Sequence, residues 1–182
     1  MKALLDACVI YPTVMRQMLL GVAARGAFTP LWSARIVAEW QHAAARLGPD
    51  GAAQAAAEAV LLRRDWPAAE VAVPPALEAR LWLPDPSDIH VLAAAVAGSA
   101  DLIVTLNARD FPRGVLAEEG LSLASPDAFI LGLWKAAPAP VEETARVVLA
   151  EARRLSDEDW TLRALLKKAR LPRLGKALES GR

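Results

Sequence analysis

Apolar residues fall along this chain in two kinds of stretch. Short runs, Ala3-Leu4-Leu5, Val71-Ala72-Val73, Leu102-Ile103-Val104 and Leu121-Ser122-Leu123, have the length of buried strands. Between them, longer segments repeat apolar positions at helical spacing. Pro12 opens one such helix, with Val14, Met18, Leu19 and Val22 on one face and Gly26 at its end. Ser33 caps a second, Ala34 to Leu47, whose buried face is Ile36, Trp40, Ala43 and Leu47. A third runs from Asp50 to Arg64, and a turn or two follows from Ala76 to Trp82. Strands alternating with helices predict a three-layer α/β/α domain with a small, mainly parallel sheet.

The stretch Pro84 to Pro112 organises the rest. Asp85 is a good N-cap, Pro86 fits the first helical position, and Asp88 falls at the third. Ile89 to Ala97 is almost wholly apolar, so this helix should lie on the core, with Gly98 and Ser99 stopping it. The strand at Leu102–Val104 then runs into Thr105, Asn107 and Asp110. In parallel α/β sheets the C-terminal strand ends are where sites form.

After Pro112, a short helix around Val115 to Glu119 should lead to the strand at Leu121, and Ser125-Pro126 should open a helix through Trp134. Residues 136–140 (AAPAP) read as a linker. Beyond it only helices are expected: Val141 to Leu155, then Trp160 to Ala169 behind a capping box at Ser156-Asp157-Glu158-Asp159, then a last turn after Pro172. The expected organisation is a domain over 1–135, the linker, and a helical C-terminal extension over 141–182.

Composition narrows the class. With 182 residues a full core is available without staples, and the single Cys8 rules out an internal disulfide. No apolar run approaches the ~18–20 residues of a membrane span, and the N-terminus runs into a strand without a signal-peptide pattern. A cytoplasmic protein with no membrane partner is expected. The net charge of zero hides an asymmetry: residues 1–135 carry 14 acids and 11 bases, residues 136–182 carry 7 acids and 10 bases. From Arg163 to Lys176 there are six basic residues and no acid. On a continuous helix Arg163, Lys167 and Arg170 would share one face. That face is either a solvated surface or a contact for a polyanion such as RNA.

Four acids are the candidate chemistry. Asp6 is the only carboxylate in the first 38 residues and directly follows a core strand. Glu39 sits at the edge of a buried helix face, as a salt-bridged border residue or as a ligand turned inward. Asp88 lies at a helix start and Asp110 in the loop after a strand. A doubly wound sheet brings such ends together, and converging carboxylates call for a hard divalent cation, Mg²⁺ or Mn²⁺. Such a site suits phosphodiester hydrolysis. No Cys/His cluster supports zinc, no Walker A or dinucleotide loop exists, and Cys8 stands where a haloacid-dehalogenase-like phosphatase needs a second Asp.

LLDACVIYP at Leu4–Pro12, the helix with Glu39, DPSDIHVLAAA at Asp85–Ala95 and IVTLNARDF at Ile103–Phe111 resemble the PIN-domain nucleases, and more closely the VapC-type toxins of bacterial toxin–antitoxin pairs. The resemblance implies that Asp6, Glu39 and Asp88 are metal-binding acids, that Asn107 or Asp110 fills a variable fourth position, and that Thr105 supports the first acid. It implies a Mg²⁺- or Mn²⁺-dependent endoribonuclease with an RNA substrate, a cognate antitoxin protein as partner, and a possible homodimer. Ala7 stands where relatives often carry Thr or Ser, and Asn107 where many carry Asp. Asp85 is taken as the cap and Asp88 as the ligand. A PIN domain that binds RNA or a partner without catalysis, and a metal nuclease acting on DNA, are the alternatives that the residues leave open.

Overall fold

The computed structural model describes residues 1–180. Its elements run β1 (Lys2–Leu5), α1 (Ala7–Ile10), α2 (Thr13–Ala24), β2 (Thr29–Ser33), α3 (Ala34–Ala45), α4 (Pro49–Asp65), β3 (Glu70–Val71) and α5 (Pro75–Arg80). A single 3₁₀ turn (Pro86–Asp88) leads into α6 (Ile89–Ala97) and β4 (Leu102–Val104). A second 3₁₀ turn (Ala108–Asp110), α7 (Arg113–Glu118) and β5 (Ser122–Ala124) follow. The chain closes with α8 (Pro126–Ala136), α9 (Pro138–Leu155), α10 (Leu162–Lys168) and α11 (Pro172–Ser180). No described helix is long and apolar enough to cross a membrane.

The strands form one parallel sheet of order β3-β2-β1-β4-β5, the centre of a three-layer α/β/α fold. β1 pairs on one side with β2 (Leu4 opposite Leu31) and on the other with β4 (Leu4 opposite Ile103). The chain thus builds outward from β1 to β3, then returns to the far side of β1. This reversal is a topological switch point, and in open parallel sheets the crevice at the carboxyl ends beside it receives ligands. Leu4, Leu5, Ile103 and Val104 are fully buried, and α6 packs across β1, β2 and β4 with Leu92 to Ala95 inside. β2 was not foreseen. Its sequence, TPLWS, carries Pro30 at its second position, unlike a strand, and its pairing comes from β1.

The chain divides into two compact units. The first is Met1–Tyr11 with Thr29–Ala124 and holds the whole sheet. The second is Pro12–Phe28 with Ser125–Arg182. Its described part is helical, built on α2, α8, α9, α10 and α11. Met15, Met18, Leu19, Val22, Val141, Val148 and Leu166 are buried in it. Phe28 and Phe129 meet edge to face there, with ring centroids 4.9 Å apart. In the same unit the buried Asp127 caps α11, accepting from the backbone N–H groups of Arg173 (3.0 Å) and Leu174 (2.9 Å).

Three local expectations are corrected. Residues 136–140 are not a linker: only Ala137 lies between α8 and α9, because Pro138 serves as a helix-opening residue. Ser156 does not cap α10. Its hydroxyl donates to the Ala152 carbonyl (2.9 Å), and Thr161 caps instead, accepting from the Ala164 N–H (3.2 Å). The basic stripe is broken. α10 ends at Lys168, and Arg170 takes a left-handed conformation (φ 60°). The N–H of Leu171 bonds to Leu166 O (2.8 Å) and that of Arg170 to Lys167 O (3.1 Å), while Leu166 and Leu171 are both fully buried. This is a Schellman ending, and the apolar pair it brings together outweighs the strain on Arg170. Residues 181–182 of the expected extension lie outside the described residues.

α6 ends in the same way, with Ser99, not Gly98, at positive φ. Gly98 is required for space instead. A Cβ there would stand 2.8 Å from Leu31 Cδ1 and 3.0 Å from Val71 Cγ2. Gly98→Ala should therefore destabilise the protein by about 1–3 kcal/mol, as overpacked sites do. Gly114→Ala, where an added methyl meets nothing within 4 Å, should be neutral or stabilising by up to about 1 kcal/mol. Urea unfolding of the two variants checks the contrast; equal midpoints would show that α6 is not held tightly on the sheet.

Candidate active site

The first unit brings its acids to the carboxyl ends of β1 and β4. Asp6 follows β1 and continues its ladder, its N–H bonding to Val104 O (3.2 Å). Its side chain makes no capping bond to α1, so a capping role does not explain it. The carboxylate is buried, with 5% exposure, and Oδ2 accepts from the Thr105 hydroxyl at 2.6 Å. Thr105 in turn accepts from the Asn107 backbone N–H (3.0 Å). The fixed hydroxyl thus points its one proton at Asp6.

Cys8 adds a second donor that sequence reasoning overlooked. Its Sγ lies 3.1 Å from Asp6 Oδ2 and itself accepts from the Leu106 N–H at 3.3 Å. Burial, then the Asp6 charge, push the thiol up to about 12. At neutral pH it is therefore a protonated donor and not a nucleophile. Ala7 offers no hydroxyl to Asp6, and Cys8 and Thr105 supply the two donors between them.

Asp85 and Asp88 differ in kind. Asp85 accepts from the Ser87 N–H (2.9 Å) and Ser87 hydroxyl (2.7 Å), which hold its carboxyl below the usual range. This tight turn makes Pro86–Asp88 a 3₁₀ turn, so the α-helix starts at Ile89 rather than at Pro86. Asp88 makes no capping bond. Burial pushes it up to about 6, helped by the charges of Asp6, Asp110 and Asp85. Glu39, on α3, is also raised, first by burial and further by Asp6 and Asp88, with Arg35 opposing. Asp6, Glu39, Asp88 and Asp110 therefore share one electrostatic field.

Two groups around Glu39 also went unread in the sequence. Arg35 Nε lies 3.6 Å from Glu39 Oε1, and its Nη1 is 3.0 Å from Glu78 Oε1. His90, in the first turn of α6, is 2% exposed, and its Nε2 is 2.8 Å from the same Glu39 Oε1. The atoms are close but not aligned, and neither ring nitrogen has a hydrogen-bond partner among the described residues. Burial, then Arg35, push His90 down to about 4, so the ring is neutral at physiological pH. The available signal was a histidine inside an apolar helix two residues after a candidate acid.

Asn107 and Arg109 are exposed, and Asp110 is half-buried at the end of its 3₁₀ turn. Arg163, Lys167 and Arg170 belong to the second unit, where Arg163 forms an ion pair with Glu179 (2.6 Å). The donor set of the first unit is all-oxygen and anionic, which fits a hard divalent cation. Its geometry is open: among the described residues no three His, Cys, Asp or Glu side chains form a ligand group.

A parallel sheet with buried and half-buried acids at its switch point defines the class, an α/β domain with an acidic cluster at its strand ends. The model of the family described as PIN domain matches residues 2–109, and the chain belongs to that family. PIN domains are generally nucleases and typically use divalent metal ions. The match takes in Asp6, Glu39, Asp88, Thr105 and Asn107 and stops one residue short of Asp110. Comparisons with curated proteins and with solved structures gave no match.

The raised Asp88 carries a pH signature. Between the ordinary carboxylate range and about 6, the folded metal-free chain holds a proton on Asp88 that the unfolded chain has lost, so stability falls as pH rises through that window. Asp88→Asn should therefore melt higher than wild type at pH near 7.5 and no higher at about pH 4 or below. Melting curves of the metal-free proteins at both values check this. Equal melting at both would mean that Asp88 is not held against its charge.

Proposed function

We propose that this chain is a Mg²⁺- or Mn²⁺-dependent endoribonuclease, acting as the toxin of a toxin–antitoxin pair. The observation that carries the nuclease reading is the shared field of Asp6, Glu39, Asp88 and Asp110, in which the chain holds Asp88 up near 6 at a sheet switch point. Such a cluster costs stability unless a cation offsets it. Asp6, Glu39 and Asp88 would hold the metal, with Asp110 or Asn107 at the rim. The bound ion would supply a low-pKa water and offset the charge that develops on the phosphodiester. Thr105 and Cys8 fix Asp6 from behind, and Arg109, exposed beside Asp110, is available to a phosphate. The choice of RNA, the toxin role and an antitoxin partner are supported by the resemblance of LLDACVIYP, DPSDIHVLAAA and IVTLNARDF to VapC-type toxins. A PIN domain that only binds is the second reading, favoured by the open arrangement of the acids.

Incubating the purified protein with total RNA, with and without Mn²⁺, and mapping the ends tests the proposal. Metal-dependent cuts leaving 5′-phosphate and 3′-hydroxyl ends are expected, lost in Asp6→Asn and Asp88→Ser and largely kept in Asp85→Ser, where serine still caps. Cuts that survive Asp88→Ser but not Asp85→Ser would mean that the wrong acid is assigned. Binding without cleavage would favour the second reading, and cleavage of single-stranded DNA alone would move the substrate class.

Arg163, Lys167 and Arg170 are proposed to contact the RNA backbone, despite their separation onto α10 and its left-handed end. Each phosphate contact on a single strand adds about −0.7 to the slope of log affinity against log salt. Replacing all three with Gln should flatten that slope by roughly 2 and leave Mn²⁺ binding intact. An unchanged slope would make them a solvated or protein-facing surface.

A further inference from the structure

We infer that His90 is a positioning residue for Glu39: its Nε2–H donates to Glu39 Oε1 and so aims the carboxylate's other oxygen toward the acids at the strand ends. The inference rests on the reading of Glu39 as a metal ligand and goes beyond it, since it concerns what holds Glu39 in place.

Glu39 needs such a partner more than the other acids do. Asp6 is buried and fixed by two donors, whereas the Glu39 side chain is 41% exposed and has more rotatable bonds. Arg35 is a weak constraint. It reaches Glu39 at 3.6 Å, is itself half exposed, and makes its shorter contact with Glu78. His90 is the opposite case. Its side chain is 3% exposed and sits in the first turn of a helix packed on β1, β2 and β4, so the ring cannot wander. Both ring nitrogens lack a hydrogen-bond partner among the described residues, a state that buried polar groups rarely keep. Glu39 Oε1 stands 2.8 Å from Nε2 and is an acceptor able to complement it. A small turn of the carboxylate into the ring plane satisfies Nε2 of His90 and fixes Glu39 at once. Which ring nitrogen carries the proton is set by the bond it makes, and this geometry selects Nε2–H.

The chain has two histidines, His42 and His90, so their imidazole signals can be assigned by comparison with a His42→Gln variant. In the metal-free protein, nitrogen-15 NMR should find His90 in the Nε2–H form, and Glu39→Ala should shift that proton upfield. An Nδ1–H tautomer, or a signal indifferent to Glu39→Ala, would overturn the inference. Calorimetric Mn²⁺ titration is the second arm. His90→Leu keeps the burial without the donor and should weaken Mn²⁺ binding by about 10-fold or more, as loss of a ligand's supporting bond does. His90→Gln, which returns an N–H near the Nε2 position, should recover most of that loss, while a purely packing role predicts that Leu matches wild type and Gln does worse. Melting temperatures of both variants identify any folding loss, and the NMR arm uses the wild-type His90 throughout. A wild type that shows the Nε2–H bond to Glu39 but takes up no Mn²⁺ would overturn the metal reading and leave the pairing of His90 with Glu39 supported.

Discussion

Like charge gathered at one end of a sheet is the constraint on which the first unit depends. β1 and β4 are neighbours, so the residues that follow them must be neighbours too, and Asp6 cannot avoid Thr105 or the acids beyond. The fold compels this proximity and then has to support it. Part of the cost stays visible as a carboxyl at Asp88 raised to about 6 and another, Glu39, raised above its usual range. A protein selected only for stability would replace such a cluster with neutral residues, and persistent local cost is a mark of sites.

The chain answers each acid with a different device. Asp6, itself buried, receives two fixed donors, a hydroxyl and a protonated thiol. Asp85 is satisfied within its own turn and takes no part in the field except as a charge. Glu39 has a cation on its solvent side, Arg35, and an imidazole on its core side, both on the same oxygen. Asp88 has the neighbours' charges and makes no capping bond, which makes it the acid with most to gain from a cation. The buried Asp127 in the second unit shows the contrast: two backbone N–H groups fully account for it as a helix cap.

The alternation of strand and helix, the strands at Ala3, Leu102 and Leu121, and most helix starts were legible from the chain alone. They follow from local rules: apolar runs of strand length, and Ser or Asp just before a helix. Ser33 and Ser125 cap as read because a cap bond spans only three residues. Local rules also misled. Ser156 has the spacing of a capping box, but Thr161 caps, and the apolar pairing of Leu166 with Leu171 decided where α10 stops. β2 escaped because its strand character comes from β1 beside it.

By itself, then, the sequence determined the fold class, because hydrophobic period and turn chemistry act over a few positions, and the resemblance of its short motifs pointed to the family. Only the tertiary structure decided which groups stand against the acids. Thr105 meets Asp6 across 99 residues because β1 and β4 pair, and the same pairing brings the Leu106 N–H to Cys8, which stands only two residues from Asp6. His90 meets Glu39 because α6 carries the ring into the core toward α3. Long-range pairing and burial set the charge state and the orientation of a carboxylate, and neither is written at the position of the carboxylate itself.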